Sequence, residues 1–233
     1  MKTHSALILQ VSSRLGLQSL TLQVDGSLSF TPGQYLAANL ADDTLAVLPE
    51  ILFIEKIGGH EVTICPGKLD GWHPGKTVIF RGPLGKGMDI PQFTKHLAII
   101  SLDVNPARVL SLTAYGLEKQ MDVVMAGDWV ADNAISADIS PKIELALLSQ
   151  MQELAQWADY LLLDVPHFRL GEIGKLVQSV PALVRPGFAQ VLVSADMPCA
   201  GIADCRICAV KTRRGYKLAC HDGPVFQLSE LMF

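Results

Sequence analysis

Four of the chain's five cysteines, Cys199, Cys205, Cys208 and Cys220, stand in C-x5-C-x2-C-x11-C spacing inside the stretch MPCAGIADCRICAVKTRRGYKLACHDGPVF. Thiolates are soft, negatively charged donors suited to iron–sulfide cores, and a loop of small residues lets several sulfurs and backbone N–H groups converge on one compact group. Ala200, Gly201, Ile202 and Ala203 supply such a loop. The first three cysteines nearly match the C-x4-C-x2-C run of two-iron clusters, with one extra residue before Cys205, and the fourth arrives on a separate strand. A four-thiolate zinc site normally shows two C-x2-C knuckles, whereas this chain has one. Zinc, disulfides and packing thiols stand as the alternatives to an iron–sulfur site.

The rest of the composition narrows the context. With 233 residues the chain is long enough to bury a substantial core, and its 49% hydrophobic against 18% charged residues is core-rich. No apolar run approaches the ~20 residues of a spanning helix, and the N-terminus lacks a signal-peptide pattern, so a cytoplasmic protein without membrane attachment is expected. There, clustered thiols favour metal over disulfides. A net charge of −4 argues against a nucleic-acid binder.

Residues 1–93 read as β. Short alternating or β-branched runs at 5–11, 17–24, 34–38, 51–57, 61–65 and 76–81 are separated by Gly, Pro, Asp or Asn, and Gly58-Gly59 suits a hairpin turn. Six such runs without a helix predict a closed, six-stranded antiparallel barrel. Residues 94–195 change period: strand candidates at 96–100, 121–126, 160–164 and 189–193 alternate with helical stretches at 106–120, 141–157 and 167–180. Asn105 and Ser140 are the expected caps of the first two. That alternation predicts a doubly wound parallel sheet. Residues 196–233 form the cysteine module.

The run Cys199 to Phe226, above all Cys220-His221-Asp222-Gly223-Pro224-Val225-Phe226, resembles the C-terminus of the electron-transfer subunit of class B dihydroorotate dehydrogenase, built on the ferredoxin–NADP reductase layout. Pro32-Gly33-Gln34-Tyr35 and Gly82-Pro83-Leu84-Gly85-Lys86-Gly87 resemble that family's entry to its third strand and its glycine-rich loop. The resemblance implies a [2Fe-2S] cluster on the four cysteines and a flavin-binding barrel with Tyr35, Gly82, Pro83, Leu84 and Gly85 toward FAD. It also implies a nicotinamide-type α/β domain and a partner dehydrogenase subunit in a hetero-oligomer.

Two stretches depart from the family pattern. Where an Arg followed by a small hydroxyl or aromatic residue meets the flavin diphosphate, residues 45–52 read Leu-Ala-Val-Leu-Pro-Glu-Ile-Leu, with no Arg and an acid at Glu50. This leaves FAD binding open, with Arg81 as a substitute donor. The turn after the first α/β strand, 101–106, has no glycine and carries Asp103 where phosphate would sit, and Asp164-Val165-Pro166 stands for a later Gly-Pro pair. These changes argue against NAD(P)H. Cys65 reads as a core thiol, the scattered histidines as packing or surface groups, and Lys211, Arg213, Arg214 and Lys217 as the cations of a hairpin tip that solvate it or dock an acidic redox partner. Two readings follow: an electron-transfer subunit, or a non-redox scaffold on a reductase fold with a structural metal.

Overall fold

The computed structural model describes residues 3–233. Its first six strands are β1 (Thr3–Arg14), β2 (Leu17–Val24), β3 (Tyr35–Leu40), β4 (Glu50–Gly58), β5 (Glu61–Gly67) and β6 (Thr77–Leu84). They close into an antiparallel barrel in the order β1-β2-β5-β4-β3-β6. Period-2 alternation drives the closure: Ala6 and Ile8 of β1, and Leu20, Leu22 and Val24 of β2, turn inward against Leu36, Ile54, Ile64, Val78 and Phe80. Gly59 turns the β4–β5 hairpin with φ +64°.

The second half contains β7 (His96–Ser101), α1 (Leu110–Glu118), β8 (Asp122–Ala126), α2 (Asn133–Ser136), β9 (Glu144–Ala146), α3 (Met151–Trp157), β10 (Tyr160–Pro166), α4 (Leu170–Ser179) and β11 (Ala189–Ser194). The sheet runs β9-β8-β7-β10-β11, all parallel, so the strand order reverses between β7 and β10. Every residue of β10 is buried, as expected of a central parallel strand covered on both faces. Asn105 Oδ1 accepts from the Ala107 amide at 3.0 Å, but Pro106, not the expected Asn105, stands at the N-cap of the 3₁₀ turn that leads into α1.

The helix expected over 141–157 is shorter than its pattern suggested. Ser140 closes a turn, accepting from the Ile143 amide at 3.0 Å. Residues 144–146 then pair with β8 as an edge strand, and helix begins only at Met151. Pairing to an exposed parallel edge outweighed helical propensity.

The last segment forms a hairpin, β12 (Ala209–Thr212) and β13 (Gly215–Leu218), and a short strand β14 (Val225–Gln227). β14 adds antiparallel to β11 and extends the large sheet to six strands. Cys208, Val210, Ala219, Cys220, Phe226 and Leu228 consequently share one core with the parallel sheet, whereas the barrel interior is a core of its own.

Candidate metal centre

The cysteine loop begins where β11 ends. Ala200, Gly201, Ala203 and Arg206 all lie in the left-handed region, at φ +52°, +79°, +69° and +57°. Such a conformation costs a non-glycine residue about 1–2 kcal/mol, so three in one loop persist only where the surroundings over-determine them. Backbone of this kind turns successive N–H groups toward a common point and makes a concave site for negative charge. Here the backbone amides of Cys205, Asp204 and Ala203 favour the Cys199 thiolate. Burial opposes ionisation of Cys199, but these donors and the Cys205 thiol outweigh it and bring the group down to about 6. At Cys220 burial acts with the neighbouring Cys208 and Cys199 sulfurs, and the thiol is pushed up to about 12.

All four sulfurs are free of disulfides; Cys208 and Cys220 are buried, Cys199 is half-buried and Cys205 is exposed. The Cys220 amide donates to Cys208 Sγ at 3.4 Å. Thiol–thiol interactions link Cys205 to Cys199, Cys199 to Cys220 and Cys220 to Cys208, so the four sulfurs are neighbours. Among the described residues no three His, Cys, Asp or Glu side chains gather around one point as a single ion requires. Four neighbouring soft donors beside a loop of left-handed turns fit an iron–sulfur core.

Of the five residues expected to face a flavin, Tyr35, Leu84 and Gly85 lie at the seam between barrel and cysteine module, while Gly82 packs on Tyr35 and Leu36 within the barrel. Tyr35 is fully buried; its hydroxyl donates to the Cys220 carbonyl at 2.9 Å, and burial, followed by the nearby thiols, pushes its pKa up and keeps the phenol protonated. A Cβ on Gly85 (φ +76°) would stand 2.5 Å from Pro224 Cδ, and one on Gly82 (φ +141°) 2.7 Å from Leu36 Cδ2. The Lys86 amide donates to the Gly223 carbonyl, and Leu84 packs at the edge of the same core. The glycines therefore admit the protein's own chain. Arg81, the expected substitute phosphate donor, gives Nη2 to the Ala200 carbonyl at 2.6 Å and so braces the cysteine loop.

A cleft of about 420 Å³ separates the barrel from the carboxyl edge of the parallel sheet; Glu50, Phe53, Lys68, Asp103, Arg108 and His167 are among its walls. At its floor, where the strand order reverses, open α/β sheets usually receive their ligand. Here Arg108 fills the position. Its Nη2 lies 2.6 Å from Asp103 Oδ2, its Nε lies 3.1 Å from Asp164 Oδ1, and Ser101 Oγ donates to Asp164 at 2.8 Å. Asp164 is fully buried; burial raises its carboxyl, with the guanidinium and Ser101 opposing. Burial works against the charge of Arg108, but Asp164 and then Asp103 more than offset it. Arg108 was not singled out from the sequence, because its partner Asp164 lies 56 positions away. With Glu50 on the wall and the guanidinium already matched by two carboxylates, these residues do not fit a flavin or nicotinamide diphosphate.

A six-stranded antiparallel barrel, a parallel sheet whose strand order reverses at the crevice, and a cysteine extension give the chain a ferredoxin–NADP reductase-like fold. A solved NADH-dependent reduced ferredoxin–NADP oxidoreductase, described in terms of flavin-based electron bifurcation, superposes with a TM-score of 0.74 at 17% identity, covering 97% of this chain and 89% of that one. Residues 196–232 match the iron–sulfur cluster binding domain of dihydroorotate dehydrogenase B. The chain is related to electron-transfer subunits of that enzyme. It is 24% identical to the one from Clostridium acetobutylicum over 234 aligned positions, covering 91% of this chain and 90% of the relative. The Clostridium perfringens subunit is 23% identical over 174, covering 68% of each.

Proposed function

We propose that the chain is an iron–sulfur electron-transfer subunit that holds a [2Fe-2S] cluster on Cys199, Cys205, Cys208 and Cys220 and exchanges electrons with a partner dehydrogenase of the dihydroorotate type. The observation that carries this reading is four disulfide-free thiols, two of which, Cys199 and Cys205, sit on a loop with three left-handed non-glycine residues. A bound cluster supplies reversible one-electron chemistry. The chain's own residues do the rest. The amides of 203–205 offset the negative charge of Cys199, Tyr35 and Arg81 pin the carbonyls of Cys220 and Ala200, and exposed Cys205 marks the side from which the site is approached.

Beside Cys199 lies a depression of about 390 Å³ shared by Val47 of the barrel and Ile202 of the loop, which are 89% and 64% exposed. Leu45, Val47 and Leu48 are exposed together on the loop between β3 and β4, and this apolar loop is assigned to the dehydrogenase partner. No step is assigned to FAD or NAD(P)H, because Glu50 and the Asp103–Arg108–Asp164 group occupy the places those diphosphates need. No helix of the described residues is long and apolar enough to cross a membrane, and a cytoplasmic location is proposed.

Anaerobic purification with iron, sulfide, zinc and released flavin measured on one sample tests the reading. Two irons and two sulfides per chain without flavin is the expected result; zinc or no metal would leave the scaffold alternative standing. Stoichiometric FAD with the cluster would retain the electron-transfer role and overturn the reading of the cleft.

A further inference from the structure

The hairpin that joins two of the cluster ligands carries a second, differently built surface. β12 starts directly after Cys208 and β13 ends two residues before Cys220, so each strand of the hairpin leads to a ligand. Four strand residues at about 3.3 Å each place the tip roughly 13 Å from the sulfurs. Lys211, Arg213 and Arg214 are exposed there and have no ion-pair partner among the described residues, while Lys217 is answered by Glu230. Lys211 is paired across the strands with Tyr216, which is 74% exposed.

A hollow of about 270 Å³ opens next to them, lined by Leu170, Val210, Tyr216, Met232 and Phe233 with Lys211 at its rim. The hairpin is firmly held: the Arg213 amide donates to the Glu230 carbonyl at 2.9 Å and the Met232 amide to the Lys211 carbonyl at 3.1 Å. Three unmatched cations thus cluster on one braced tip of a chain whose net charge is −4.

We propose that this hairpin is the docking surface for a transient, acidic one-electron carrier, distinct from the apolar face assigned to the dehydrogenase subunit. The proposal rests on the iron–sulfur reading above. Charge complementarity accelerates encounter and fixes orientation more than it lengthens residence, which suits a carrier that must leave after each delivery. The aromatic and thioether walls of the hollow supply a small apolar centre within the cationic rim. In the step itself one electron leaves the carrier's reduced centre and enters the oxidised cluster, and neither a bond nor a proton moves.

The test uses the cluster-loaded full chain and an acidic plant-type ferredoxin as probe. Binding is measured by calorimetry from about 20 to about 300 mM salt, a range over which the screening length falls severalfold. Affinity for the wild-type chain is expected to fall at least tenfold across it. The double variant Arg213→Glu, Arg214→Glu should bind at least tenfold more weakly at low salt and lose most of the salt dependence. Its iron content and its reduction by dithionite should match wild type. If that variant does not assemble, Arg213→Gln, Arg214→Gln takes its place, with a severalfold loss expected. Unchanged ferredoxin affinity in a cluster-bearing variant, or no binding by the cluster-bearing wild type, overturns this docking surface and leaves the electron-transfer reading intact. A chain that takes up no iron would sink both.

Discussion

Two concave places in this molecule look like ligand sites, and they are finished in opposite ways. At the floor of the crevice, between β7 and β10, the charged groups are matched within the chain itself: Arg108 sits between Asp103 and Asp164, and Ser101 completes the buried carboxylate. At the cysteine loop the backbone is held in left-handed turns, and four thiols there and beside the hairpin are left without covalent partners. The first is saturated by its own protein and the second is prepared for something that is not protein. A position in the fold is therefore a poor guide to function until the local valences have been counted.

The contrast can be broken or sharpened by substitution. The largest effect is expected at the unsaturated place: Cys205→Ser should lose most of the iron and sulfide while changing folding stability by no more than about 0.5 kcal/mol, since Cys205 is exposed. Retention of full iron content would remove Cys205 from the ligand set. At the saturated place the loss should appear as stability instead. Arg108→Met strands the Asp164 carboxylate and should cost about 3–5 kcal/mol in urea unfolding, with Asp164→Asn in the same chain recovering much of it. A neutral outcome for Arg108→Met alone would mean that the group is not a closed unit.

The seam lies between these extremes. Gly85→Ala must take a left-handed φ and meet Pro224, so a loss of about 2 kcal/mol is expected, together with faster release of iron to a chelator. The smallest effect belongs to Tyr35→Phe, which leaves the buried Cys220 carbonyl unpaired at a cost of about 1–2 kcal/mol. Chelator release measured beside the unfolding curve separates the two: a seam that only packs the domains would change stability and leave iron release untouched.

Much of this was legible in the chain before any coordinates. The barrel strands announce themselves by alternation and Gly or Pro punctuation, and the parallel strands by unbroken apolar runs, because burial on one face or two leaves a direct mark on sequence. The cysteine spacing pointed to a metal site for the same local reason. What escaped was non-local. Residues 144–146 read as helix because nothing within them records the β8 edge they join. The strand at 225–227 gave no signal of its own beside the cysteines. Asp103 read as an anion that repels phosphate; the structure adds that its charge is met by Arg108, five residues on, and tied to Asp164 on another strand. Tyr35 and Gly85 meet residues 220–224, and Gly82 meets Tyr35 and Leu36 within the barrel, contacts that no local pattern records.

The pairing of β14 with β11 has a mechanical consequence. Because the cysteine module shares a sheet with one domain and is clasped by Tyr35, Arg81 and Lys86 of the other, it is not a tethered arm that swings between stations. It is a fixed socket, and traffic through it is organised by partners arriving at and departing from a stationary terminal.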